Sequence, residues 1–171
     1  MVHSLLELVS LDIIMAWYSN SEGRYGESGC KGDLGEQIVE DYLTRNQIPY
    51  DRKTDIISQV HRKIDFIIDG VLVDVKANVK PGWYSSELTH AVEVLDDDGN
   101  DGWIYSSEAE EIYAVCLKTK DIYKYKTKLM REVIPANARQ LYWITVDNKL
   151  FTKLADVVEL VDTRDLKSLS R

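Results

Sequence analysis

The sequence predicts a mixed α/β domain, an αβββαβ core with an extra strand and helix at its carboxy terminus. Three observations carry this. Residues 33–46 place Leu34, Ile38 and Tyr42 at helical spacing, with Val39 and Leu43 beside them. Residues 63–77 hold two alternating apolar runs joined by Asp69-Gly70, a strong signal for a two-residue hairpin. Residues 112–117 form a short unbroken apolar run that suits a buried strand.

The remaining elements follow in order. Pro49 closes the first helix region, and residues 50–57 suit a first strand. Residues 63–68 and 71–77 are the hairpin strands. Pro81-Gly82 marks a turn. Residues 86–95 read as a helix, with Leu88, Ala91, Val92 and Leu95 on one side. Residues 96–102 form an acidic loop that lacks the spacing and final glutamate of an EF-hand. Residues 122–126 suit a strand, 128–134 a short helix before Pro135, 141–146 a strand and 151–161 a helix. The chain of 171 residues suits one domain. Residues 1–18 are a helical extension: apolar, interrupted by Glu7 and Asp12, without the basic start of a signal peptide and too short to cross a membrane. Met15 is an alternative start of translation.

Composition narrows the function. The two cysteines, Cys30 and Cys116, form no CxxC or Cys/His pattern, which points away from zinc and disulfides and toward reduced, buried thiols in a cytoplasmic protein. The net charge of −8 opposes broad binding of nucleic acid. The charge is uneven, however: residues 93–111 hold eight acids and no base, whereas 118–131 hold six bases and one acid.

The hairpin turns this pattern into geometry. Counting outward from Asp69-Gly70 sets Asp65 opposite Asp74 and Lys63 opposite Lys76. Alternation then lines one face with Lys63, Asp65, Ile67, Leu72, Asp74 and Lys76. The opposite face is wholly apolar and belongs to the core. Two facing carboxylates repel and need compensation. Lys63 and Lys76 offer it on a solvated face. A divalent cation offers it in a drier one, since Mg²⁺ takes one or two carboxylates plus a substrate phosphate.

These residues resemble the PD-(D/E)XK nuclease superfamily, through "GDLGEQIVEDYL" with its glutamate, "KID" and "VDVK". Ile64 stands where the superfamily's name has proline, and Asp74 takes the variable acid position. The resemblance covers residues 31–126 and is similar in layout to small phage or archaeal Holliday-junction-resolvase-like endonucleases. It implies a restriction-endonuclease-like sheet and a DNA endonuclease dependent on Mg²⁺ or Mn²⁺. Asp65, Asp74 and the Val75 carbonyl would hold the ion, Glu36 would bind it directly or through water, and Lys76 would act on the attacking water and the phosphate. Glu36 has a rival role, because Asp33-x-x-Glu36 has the form of a capping box. A helix starting nearer Ser28 would instead leave Glu36 free to face the site.

The stretch 118–131 alternates Tyr123, Lys124, Tyr125 and Lys126, so both lysines share a strand face. Lys124, Lys126, Lys128 and Arg131 are the expected phosphate contacts, and Trp83 and Tyr84 are candidates for stacking on a base. Small nucleases of this layout are often homodimers. Residues 156–171 resemble the translated 5′ half of a leucine transfer-RNA gene, which implies a mobile or phage genome. The rival readings are a catalytically inactive nucleic-acid-binding or protein-interaction module with the same fold, and an RNA-directed nuclease.

Overall fold

The computed structural model describes residues 27–82, 86–146 and 149–154. Helix α1 (Glu27–Arg45) is followed by β1 (Tyr50–Arg52), a π-helical turn (Ile57–Arg62), β2 (Phe66–Ile68) and β3 (Val71–Lys76). Next come β4 (Val79–Pro81), β5 (Leu88–Glu93), the one-turn helix α2 (Trp103–Ser106) and β6 (Glu111–Val115). The order ends with β7 (Ile122–Lys126), α3 (Thr127–Val133), β8 (Leu141–Thr145) and β9 (Thr152–Lys153).

The fold is mixed α/β, as the sequence predicts, and mostly antiparallel. A six-stranded sheet runs β1-β2-β3-β6-β7-β9, and a three-stranded sheet runs β4-β5-β8. Among the described strands only β3 and β6 pair in parallel. The hairpin forms in the predicted register, with Ile68 opposite Val71 and Phe66 opposite Val73. Asp69 and Gly70 both take positive φ (50° and 81°), the turn whose twist matches the flanking strands.

The larger sheet has a packed layer on each face. On one, Ile38, Val39 and Leu43 of α1 meet Phe66, Val73, Val75, Tyr113 and Val115. On the other, Ile112, Ala114, Tyr123 and Tyr125 meet Val92 and Ile144 of the smaller sheet. Each large apolar side chain so buried contributes about 1.5–3 kcal/mol. α1 approaches the sheet end closely because of Gly35, where a Cβ would lie 2.8 Å from the Cβ of Ala77. Ala77 and Asn78 carry the chain from β3 in one sheet to β4 in the other.

Three expectations are corrected. Residues 86–95 are not a helix: Leu88–Glu93 is the centre of the smaller sheet, with His90 and Val92 buried on its inner face. Lys63 does not continue the ladder opposite Lys76. It adopts φ 54° at the end of the π-helical turn, and its Nζ reaches the Ser106 hydroxyl at 2.8 Å. After Phe151 the chain pairs as β9 with β7 rather than beginning a helix. Cys116 is buried as expected, whereas Cys30 is only half-buried. The expected extension 1–18, the tail 156–171, Trp83 and Tyr84 lie outside the described residues. No helix among the described residues is long and apolar enough to cross a membrane.

Candidate active site

Asp65 stands just before β2, where the regular ladder gives way. Its backbone N–H donates to the Val73 carbonyl (2.9 Å), and its own carbonyl accepts from the Lys53 N–H (2.7 Å). In an unbroken ladder the Val75 N–H would bond the backbone of residue 64. It donates instead to the Asp65 carboxylate, at 2.7 Å. That bond fixes the carboxylate at the edge of β3, where burial and the neighbouring Asp74 carboxylate push its pKa up to about 7.

Asp74 sits in mid-β3 and is only 2% exposed. Val73 and Val75 point toward α1, so Asp74 and Lys76 point to the opposite face, toward the smaller sheet. Lys76 Nζ donates to Asp74 Oδ1 at 2.6 Å and lies 5.2 Å from the centre of the Trp103 ring. The other oxygen, Asp74 Oδ2, is buried and accepts from no N–H donor. The neighbouring Asp65 carboxyl, when protonated, shares a side-chain hydrogen bond with Asp74. The structure thus brings Asp65, Asp74 and Lys76 together, and it is Lys76, with 22% of its side chain exposed, that meets solvent.

Glu36 lies in the interior of α1, nine residues past Glu27, so it caps nothing. Its carboxylate is held by Arg52 of β1 at 3.0 Å, and the same guanidinium grips Glu40 one turn on. Burial, and then the field of Asp65, raise the Glu36 pKa above the ordinary carboxylate range. Among the described residues no group of three or more His, Cys, Asp or Glu side chains is placed to hold a metal ion. Glu36 therefore bears on Asp65 through its charge, while Arg52 takes its Oε2. The two-carboxylate pair alone fits a hard cation that draws its remaining ligands from water and phosphate. When Asp65 ionises, the proton it shares with Asp74 is lost and two buried carboxylates stand side by side, a repulsion that such a cation would offset.

No family model matches the chain, and no curated protein does. Among solved structures the chain is similar to a bacterial homing endonuclease, I-Ssp6803I. The two are 13% identical, the match covers 75% of this chain and 83% of that one, and the TM-score is 0.45.

The expected nucleic-acid surface is arranged differently. Lys124 and Lys126 share the face of the sheet that carries α1, opposite to Asp74 and Lys76. Lys124 pairs with Glu111 at 3.5 Å. Arg131 ties α3 down, donating to the Ile104 carbonyl (2.7 Å) and the Ser107 carbonyl (2.9 Å). Lys126 and Lys128 are exposed beside Glu108, Glu110 and Glu111, so their field is largely offset.

The sequence reading missed Arg52, Trp103 and His90. Arg52 lay in a predicted strand, and nothing in its spacing says which acids it meets. Trp103 follows the acidic loop and reaches Lys76 only through the crossover from β3 to β6. His90 is fully buried, 2.8 Å by its Nε2 from the Tyr125 hydroxyl, among the rings of Trp103, Tyr125 and Phe151. Burial pushes its pKa down to about 3, so it is neutral.

Proposed function

We propose that this chain is a nuclease of the PD-(D/E)XK type that hydrolyses phosphodiester bonds in DNA with the help of Mg²⁺ or Mn²⁺. One observation carries the reading. Asp65, just before β2, and Asp74 of β3 are buried carboxylates close enough for Asp74 to raise the Asp65 pKa, and a lysine stands beside them. Asp65 and Asp74 would hold the ion, with the Val75 carbonyl as the further ligand that the resemblance implies. When bound, the ion supplies an acidified water and offsets charge on the phosphate.

The chain's own residues do the rest. The Val75 N–H donates to the Asp65 carboxylate and fixes its orientation. Lys76 spends one of its three donors on Asp74 and keeps two for a phosphate oxygen or the attacking water. The Trp103 ring, its centre 5.2 Å from that ammonium, borders it on one side. Glu36, held by Arg52, adds negative charge near Asp65 and so strengthens attraction for a cation. A phage origin, a preference for branched or nicked DNA, a homodimer and a place in the host cytoplasm belong to the same proposal.

The test is cleavage of linear, supercoiled and branched DNA with Mg²⁺, Mn²⁺ or EDTA, with a parallel RNA substrate. Asp74→Ala and Lys76→Ala are each expected to abolish cleavage while EDTA abolishes it in the wild type. Activity that survives both substitutions defeats the assignment.

A further inference from the structure

A second feature lies at the same end of the sheet as Lys76. A cleft of about 680 Å³ opens one residue beyond it, where Ala77 and Asn78 form part of the wall. The first half of α1, β4, the turn after β6 and Trp143 of β8 enclose the rest. Its floor is apolar. Its rim carries four lysines, among them the exposed Lys80, Lys118 and Lys120, and no acid lines it. On a chain of net charge −8 that concentration of one sign is notable in its position as well as its number. The second cleft of the molecule offers a contrast, since there three glutamates offset the bases. Trp143 is 41% exposed, and Lys80 Nζ lies 4.9 Å from the centre of its ring.

We infer that this cleft binds a single-stranded stretch of nucleic acid that continues from the phosphate at Lys76. The inference rests on the nuclease reading for the identity of the ligand. Single strands are held by a positive groove that follows the phosphates together with aromatic surfaces on which bases stack. Lys80, Lys118 and Lys120 supply the charge, and Trp143 and the apolar floor supply surface for an unstacked base. A duplex hides its base faces and would leave that floor uncovered. DNA and RNA strands share this chemistry, and separate arms of the test compare them.

The experiment measures binding without cleavage. Asp74→Asn protein in EDTA is titrated against labelled single-stranded DNA, single-stranded RNA and duplex DNA of one sequence, with fluorescence anisotropy as the readout. Either single strand should bind at least tenfold more tightly than the duplex. Lys118→Glu with Lys120→Glu, both on an exposed turn, should remove two phosphate contacts and flatten the log–log salt slope by about 1.4. Trp143→Ala should weaken binding roughly tenfold. Lys126→Glu with Lys128→Glu should change little. Tighter binding of the duplex, or wild-type affinity in the Lys118/Lys120 variant, overturns the inference. So does an absence of binding to either single strand. Strand binding without any cleavage by the wild type would remove the nuclease reading and leave the cleft assigned.

Discussion

Replacing Asp65 with asparagine should make the metal-free protein more stable, by an amount that depends on pH. The Asp65 carboxyl titrates near 7 in the fold against 3.8 in an open chain. Holding it ionised in the fold therefore costs about 4 kcal/mol at full ionisation. The sign follows from the raised pKa. Between about pH 4 and 7 the unfolded chain has released this proton and the folded chain keeps it. Stability falls as pH rises through that window and levels off above it. Asparagine has the same shape, and its side-chain oxygen still accepts the Val75 N–H. Asp65→Asn should match the wild type near pH 4 and exceed it by up to about 4 kcal/mol at pH 8, roughly 2–4 °C in Tm per kcal/mol. The assay is thermal or denaturant unfolding in EDTA from pH 4 to 8.5. Mg²⁺ or Mn²⁺ should then raise the Tm of the wild type at pH 8 and leave the variant unchanged. A variant less stable than the wild type at pH 8, or a difference that does not vary with pH, refutes the reasoning.

Two further predictions concern how α1 is held against the site. Gly35→Ala should destabilise the fold by about 1–3 kcal/mol through its clash with Ala77, less about 1 kcal/mol gained in helix propensity, and Ala77→Gly should restore stability. Unfolding of the single and double variants checks this. Arg52→Ala should cost about 1–3 kcal/mol at pH 8, because it strips Glu36 and Glu40 of their donor. Much of that loss should return in Arg52→Ala/Glu36→Gln, which a denaturant series would read.

The centre of the site was legible because it depends on local rules. Asp69-Gly70 dictates the turn, the turn dictates the register of Phe66–Ile68 against Val71–Val73, and strand alternation sets Asp74 and Lys76 on one face of β3. Asp65 lies past the end of that ladder, where its carboxylate accepts from the Val75 N–H. The ladder's end was not legible. The π-helical turn and the left-handed Lys63 come from how residues 53–63 cross to α2, which spacing does not report. Residues 88–95 satisfy a helical period and a strand's alternation at once. Pairing with β4 and β8 decides between them, and those partners lie far apart in sequence. The same holds for Glu36. Its rival role as a cap depended on where α1 begins, and its engagement by Arg52 depends on β1 lying beneath the helix.

Calorimetric titration of Mn²⁺ into the wild type, repeated in buffers of different ionisation enthalpy, tests the central claim most directly. If Asp65 and Asp74 hold the ion, binding below about pH 7 should release a proton from Asp65, and the release should fade as pH rises above 7 and be absent in Asp65→Asn. Asp74→Ala should bind no ion. Mn²⁺ binding that persists in Asp74→Ala with no proton release would contradict the account.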